Sequence, residues 1–186
     1  MRPIRIGVLL SGTGRTLLNL LEHTKGGKLA AEIVCVISDR EGVKGLDHAA
    51  AAEIHSFVEP DSERTFAILR EHRVDLVCLG GYLRLLKIPE DYTGRVLNIH
   101  PALLPKFGGP GFFGTKVHEA VLASGDRESG CTVHYCDGKY DEGPILLRKQ
   151  VPVESGDTVE TLADRVFAAE CEAYPEAIRI WIGTSL

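Results

Sequence analysis

Long apolar runs are missing from this chain of 186 residues. No stretch approaches the roughly 20 residues that a membrane-spanning helix needs. Met1 to Leu10 holds neither a long apolar segment nor a cleavage site of the export type. Excess positive charge is missing too. The formal net charge is −5, which gives no electrostatic footprint for nucleic acid but allows a local basic pocket. Neither C-x-x-C nor H-x-x-x-H spacing occurs, so no metal site is expected. The five cysteines, Cys35, Cys78, Cys131, Cys136 and Cys171, are odd in number and unclustered, which suits a reducing cytoplasm. What is present, 44% hydrophobic and 25% charged residues, fits one soluble domain with a real core.

Strand-like and helical patterns alternate. Ile4 to Leu10 reads as a first strand, followed by the loop Ser11-Gly12-Thr13-Gly14-Arg15-Thr16 and a helical face of Leu17, Leu18, Leu20 and Leu21. Glu32 to Ser38, Asp75 to Leu79 and Val96 to His100 are further apolar strands. Leu46 to His55 reads as a helix, and Asp61 opens another. This order predicts a doubly wound α/β fold with a mostly parallel sheet. After Pro101 the pattern changes. A Gly- and Pro-rich loop to Thr115, a helix over Val117 to Ser124 and two strands, Cys131 to Cys136 and Ile145 to Val153, predict antiparallel pairing in the C-terminal half. Thr158 to Trp181 reads as a long helix kinked or divided at Pro175.

Three places carry chemistry. At the end of the strand Val96 to His100, Asn98 and His100 share a face, because residues two apart on a strand point the same way. An amide and an imidazole side by side can polarise a carbonyl, hold an oxyanion and move a proton. The first strand–loop–helix turn, with Gly12 and Gly14, is a phosphate-type site to which Arg15 adds charge. The third glycine of G-x-G-x-x-G is replaced by Leu17, although Asp39 ends the second strand as a ribose-binding acid would. A monophosphate fits at least as well as a dinucleotide. Gly80-Gly81-Tyr82-Leu83-Arg84-Leu85-Leu86 is either an apolar slot for a flat ligand or a plain strand exit. Asp141, in Asp-Glu-Gly-Pro, is either a turn residue or an orienting carboxylate for an imidazole. His134 is either a satisfied core histidine, the reading put first, or a partner standing behind the site, and His118 reads as a helix-packing residue.

In order along the chain, SGTGRT, VISDR, GGYLRLL, LNIHPALLPKF, GCTVHYCDGKYDEGPIL and GDTVETLADRVFAAECEAYP closely resemble the phosphoribosylglycinamide formyltransferases, the folate-dependent glycinamide ribonucleotide transformylases of purine biosynthesis. The resemblance implies a single formyltransferase domain over 1–186, phosphate-binding at about 1–100 and folate-binding and catalytic at about 80–186. It implies formyl transfer from 10-formyltetrahydrofolate to the amine of glycinamide ribonucleotide, with no metal. Asn98, protonated His100 and Asp141 would be catalytic. Gly12, Thr13, Gly14, Arg15 and Thr16 would take the phosphate, and Glu170 the ribose hydroxyls. Leu83, Arg84, Leu85, Leu86, Asn98, Asp137, Gly138, Lys139, Tyr140 and Asp141 would hold the folate, with Arg64 near its tail.

The chain departs from many members in Thr13, Arg15 and Thr16, and in the longer segment Phe107 to Val117. That segment is similar to a variant found in part of the family. The formyl-methionyl transfer RNA enzymes share the catalytic half but carry a further RNA-binding domain. No nucleic-acid or membrane partner is expected here, and the protein is expected as a cytoplasmic monomer or homodimer. The rival readings are formyl transfer to another amine, such as an amino sugar nucleotide, and a dinucleotide-binding module built on Gly12, Gly14 and Asp39.

Overall fold

The structure is a computed structural model that describes residues 2–185. Seven strands form one sheet: β1 (Ile4–Leu10), β2 (Ala31–Ser38), β3 (His55–Val58), β4 (Leu76–Leu79), β5 (Val96–His100), β6 (Glu128–Tyr135) and β7 (Ile145–Pro152). Their order is β3-β2-β1-β4-β5-β6-β7. Pairing is parallel from β3 to β5 and antiparallel for β5–β6 and β6–β7. The helices are α1 (Arg15–Lys25), α2 (Lys44–Ala51), α3 (Ser62–Glu71), α4 (Thr115–Ser124) and α5 (Val159–Ser185).

Strand alternation sends side chains into two cores. Ile6, Val8 and Leu10 of β1 pack with Leu17 and Leu20 of α1 and Tyr174 and Ile178 of α5. Leu9 packs on the other face with Phe66 and Leu69 of α3. Burying a leucine of this kind is worth about 1.5–3 kcal/mol. Tyr174 is fully buried, and its hydroxyl lies 3.0 Å from the Leu79 carbonyl oxygen and 2.9 Å from that of Leu97. It thereby links β4 and β5 at Leu79 and Leu97.

Two expectations are corrected. The helix expected over Leu46 to His55 stops at Ala51. Glu53 takes a left-handed φ of 58°, and His55–Val58 becomes the edge strand β3 beside Cys35–Ser38. Of the two expectations at Pro175, a kink or a division, division is overturned: the helix Val159–Ser185 runs through it. Proline has no N–H for the carbonyl one turn back, that of Cys171. The Asn19 side-chain amide on α1 donates to that carbonyl instead, at 3.0 Å.

Candidate active site

In a doubly wound sheet, ligands bind beyond the carboxyl ends of the strands where the order reverses. Here the chain runs outward from β1 to β3 and returns to β4 on the other side of β1. The loops that leave β1 and β4, Ser11–Thr16 and Gly80–Leu83, line a cleft of about 750 Å³. Gly14 caps α1 with φ 74°, and a Cβ there would stand 2.6 Å from the Gly45 Cα. No side chain caps α1, and its first turn holds no acidic residue. Its first backbone N–H groups therefore remain available to an anion. The Ser11 hydroxyl accepts from the Leu83 N–H at 3.0 Å and ties the two loops together. Val166, Phe167 and Glu170 of α5 form the opposite wall. Asp39 lies outside this cleft, buried and paired with Arg40 at 2.7 Å, so the dinucleotide reading loses its ribose acid.

The inner end of the cleft is a polar cluster. Antiparallel register sets Asn98 opposite His134 and His100 opposite Thr132. His134 Nδ1 donates to the Tyr135 carbonyl at 2.9 Å. Nε2 of the same ring lies 3.1 Å from Asn98 Nδ2 and 3.5 Å from Asp141 Oδ1. Asn98 Nδ2 also approaches Asp141 Oδ1 at 3.4 Å. Asp141 Oδ2 accepts from the Gly109 N–H at 2.9 Å and stands 3.5 Å from His100 Nδ1. His100 Nε2 donates to the Phe107 carbonyl at 2.7 Å. Asp141 is held at a left-handed φ of 56°, which a short polar side chain tolerates better than most.

Burial and local contacts compete to set the charge in this cluster. Desolvation pulls the His100 pKa below the ordinary histidine value, and Asp141 and the Phe107 carbonyl oppose it only in part. The resting ring is therefore neutral near pH 7, contrary to the expected protonated form. Burial would raise Asp141, but contact with His134, the His100 ring and the Gly109 N–H outweighs it. The carboxyl lies below its usual range. An ionised carboxylate thus sits between two imidazoles and an amide.

The formyl transferase family model matches residues 4–178. The chain belongs to the formyl transferase family. It is 41% identical over 188 residues to the trifunctional purine biosynthetic protein adenosine-3 of Gallus gallus, covering 95% of this chain but 18% of that protein. It is 37% identical to the chloroplastic phosphoribosylglycinamide formyltransferase of Arabidopsis thaliana, covering 95% of this chain and 65% of that one. The chain therefore spans about a fifth of the trifunctional relative and under two thirds of the plant one. Among solved structures, glycinamide ribonucleotide transformylase 1 from Symbiobacterium toebii superposes with a TM-score of 0.90 at 40% identity, covering 98% of this chain and 89% of that one.

For a formyl transferase, the residues expected at the folate divide between two spaces. Arg84, Leu85, Leu86, Gly138 and Lys139 line a narrow slot of about 40 Å³ that joins the large cleft at Tyr82, Asn98 and Asp141. Leu83 and Tyr140 line the large cleft, and the Tyr140 hydroxyl bridges to the Leu83 carbonyl at 3.4 Å. Asp137 lines neither space and accepts from the Lys139 N–H at 3.1 Å. Arg64 is exposed on the first turn of α3, and its side chain lines neither space. The sequence reading put the site role of one contributor second and missed that of three others. His134 is a cluster member rather than a core residue alone, as its shared face with Thr132 hinted. The Phe107 carbonyl and Gly109 N–H are backbone groups without a side-chain signal. Buried His118 also lines the cleft, with Nδ1 unpartnered among the described residues. No group of three or more His, Cys, Asp or Glu able to hold a metal lies among the described residues.

Proposed function

We propose that this chain transfers the formyl group of 10-formyltetrahydrofolate to the amine of glycinamide ribonucleotide. The observation that carries the reading is the meeting of two spaces at Asn98 and Asp141. One is lined by a phosphate-type loop and Glu170, the other by the Arg84–Leu86 segment. The ribonucleotide phosphate lies on the Gly12–Thr16 backbone, the ribose toward Glu170 and the amine toward Asp141. The pterin of the donor enters beside Leu85 and Leu86.

In this scheme the amine nitrogen attacks the formyl carbon, and the carbonyl electron pair moves to oxygen. Asn98 and His100 supply N–H groups to that oxygen. In the free protein both are engaged, His100 Nε2 with the Phe107 carbonyl and Asn98 with His134 and Asp141. The oxyanion takes their place as the better, charged acceptor. Asp141, ionised in advance, takes the amine proton. When the intermediate collapses, the bond to N10 of the folate breaks, its electron pair stays on N10, and the proton passes there from Asp141. One oxyanion donor of this kind is worth about 3–4 kcal/mol of barrier. No described helix is long and apolar enough to cross a membrane. The free cysteines suit the cytoplasm, where the chain acts as one domain, alone or as a homodimer.

The test is turnover of 10-formyltetrahydrofolate with glycinamide ribonucleotide by the purified protein. Formylated ribonucleotide and tetrahydrofolate in equal amounts are expected. Faster turnover with an amino sugar nucleotide would overturn the acceptor, and no turnover with any amine would overturn the activity.

A further inference from the structure

Arg15 is the first residue of α1, at the edge of the phosphate-type loop. Its guanidinium carbon lies 3.7 Å from the centre of the Phe167 ring on α5, and both side chains line the large cleft. Among the described residues Arg15 donates no hydrogen bond. Its one salt-bridge partner among the described residues, the exposed Asp164, is 3.6 Å away, beyond hydrogen-bonding distance. Asp164 and Phe167, three apart, face α1 together, and Glu170 follows on the next turn. Stacking on an aromatic face orients a guanidinium without occupying any of its five donors. Burial pushes the Glu170 carboxyl up to about 8, so near neutral pH that group supplies little negative charge to Arg15. The outer end of the cleft therefore holds a fixed cation with unfilled donors beside the open N-terminus of a helix.

We infer that Phe167 is a positioning residue whose ring holds the Arg15 guanidinium in place to grip the phosphomonoester of the acceptor. The inference rests on the ribonucleotide reading of the cleft and adds a side-chain clamp to its backbone cradle. The choice of arginine follows, because a lysine ammonium is a point charge that gains no planar stacking. Phe167 touches no reacting atom in this scheme and acts only through Arg15.

Calorimetric titration with inorganic phosphate tests this independently of turnover. Phe167→Leu and Arg15→Gln each weaken phosphate binding about fivefold. The double variant is no weaker than Arg15→Gln alone, and Phe167→Tyr, which keeps the ring, restores binding. In turnover, Phe167→Leu raises KM for the ribonucleotide much more than it lowers kcat. Full phosphate affinity in Phe167→Leu, additive losses in the double variant, or a wild-type protein that binds no phosphate would each overturn the inference. Turnover by the wild type reports separately on the ribonucleotide reading.

Discussion

His100 Nε2 donates to the Phe107 carbonyl oxygen at 2.7 Å, while Nδ1 of the same ring faces Asp141 Oδ2 at 3.5 Å. The first contact fixes the neutral tautomer with its proton on Nε2. The second waits for a proton that burial discourages. Nuclear magnetic resonance of the ring nitrogens should therefore show a neutral Nε2–H imidazole at pH 7, with a titration midpoint below 6.5. Because Asp141 raises that midpoint, Asp141→Asn should lower it further. A midpoint above 6.5 in the free protein would restore the protonated reading.

Asp141→Asn should also lower kcat by about 10²–10⁴, the usual worth of a positioned proton acceptor. The fold should survive, since the amide is isosteric and its oxygen can still accept from Gly109. Asn98→Ala should lower kcat by about 10²–10³. His134→Ala, which frees the Asn98 amide to rotate, should have a smaller effect, roughly tenfold. Steady-state kinetics with circular dichroism as the folding control separates these. Wild-type kcat in Asp141→Asn would remove the carboxylate from the mechanism.

Glu170 makes stability depend on pH. Burial raises its carboxyl from the ordinary 4.5 to about 8, with Arg15 opposing. The folded protein thus holds this proton more tightly than the unfolded chain. The stability gained is complete below about 4.5 and is lost as pH rises through about 8. Glu170→Gln cannot ionise, so its thermal midpoint should exceed the wild-type value by a margin that widens from about pH 6 to about pH 9. A constant margin would place the carboxyl in its ordinary range.

Gly14→Ala should destabilise by about 2–4 kcal/mol, from left-handed strain and the close Gly45 backbone together. Chemical denaturation would measure it. A change below about 0.5 kcal/mol, the scale of ordinary surface substitutions, would show that α1 and α2 have room to part.

Asn19→Ala should cost about 1–2 kcal/mol, because it leaves the Cys171 carbonyl without a partner. Pro175→Ala restores the helical N–H to that carbonyl. In that background the cost of Asn19→Ala should fall by more than half, and a double-mutant cycle reads the difference. Equal costs in both backgrounds would mean that the amide serves another purpose.

The parallel half of the sheet was legible because β1, β2, β4 and β5 are apolar and end in turn-formers. Strand β3 was not, since His55 and Ser56 are polar residues on an exposed edge and carry no burial pattern. Asn98, His100 and the glycine loop could be read because their chemistry is local to a few residues. The partnership of Asn98 with His134 depends on register between strands 36 residues apart, which side-chain alternation alone does not fix. Arg64 is exposed on α3 and lines neither space, so its folate-tail role rests on the resemblance alone. Asn19 sits on an amphipathic helix, where nothing local marks it as the partner of a distant proline.

That proline has a consequence for the acceptor. A ribonucleotide has a fixed length from phosphate to amine, so the walls that grip it must keep a fixed gauge. A helix that closes all its own bonds could slide along its neighbour by small increments. Pro175 opens one bond, and the short Asn19 side chain closes it from α1. The helix bearing Glu170 and Phe167 is thereby indexed against the helix bearing Arg15, as a detent sets a slide rule at one graduation.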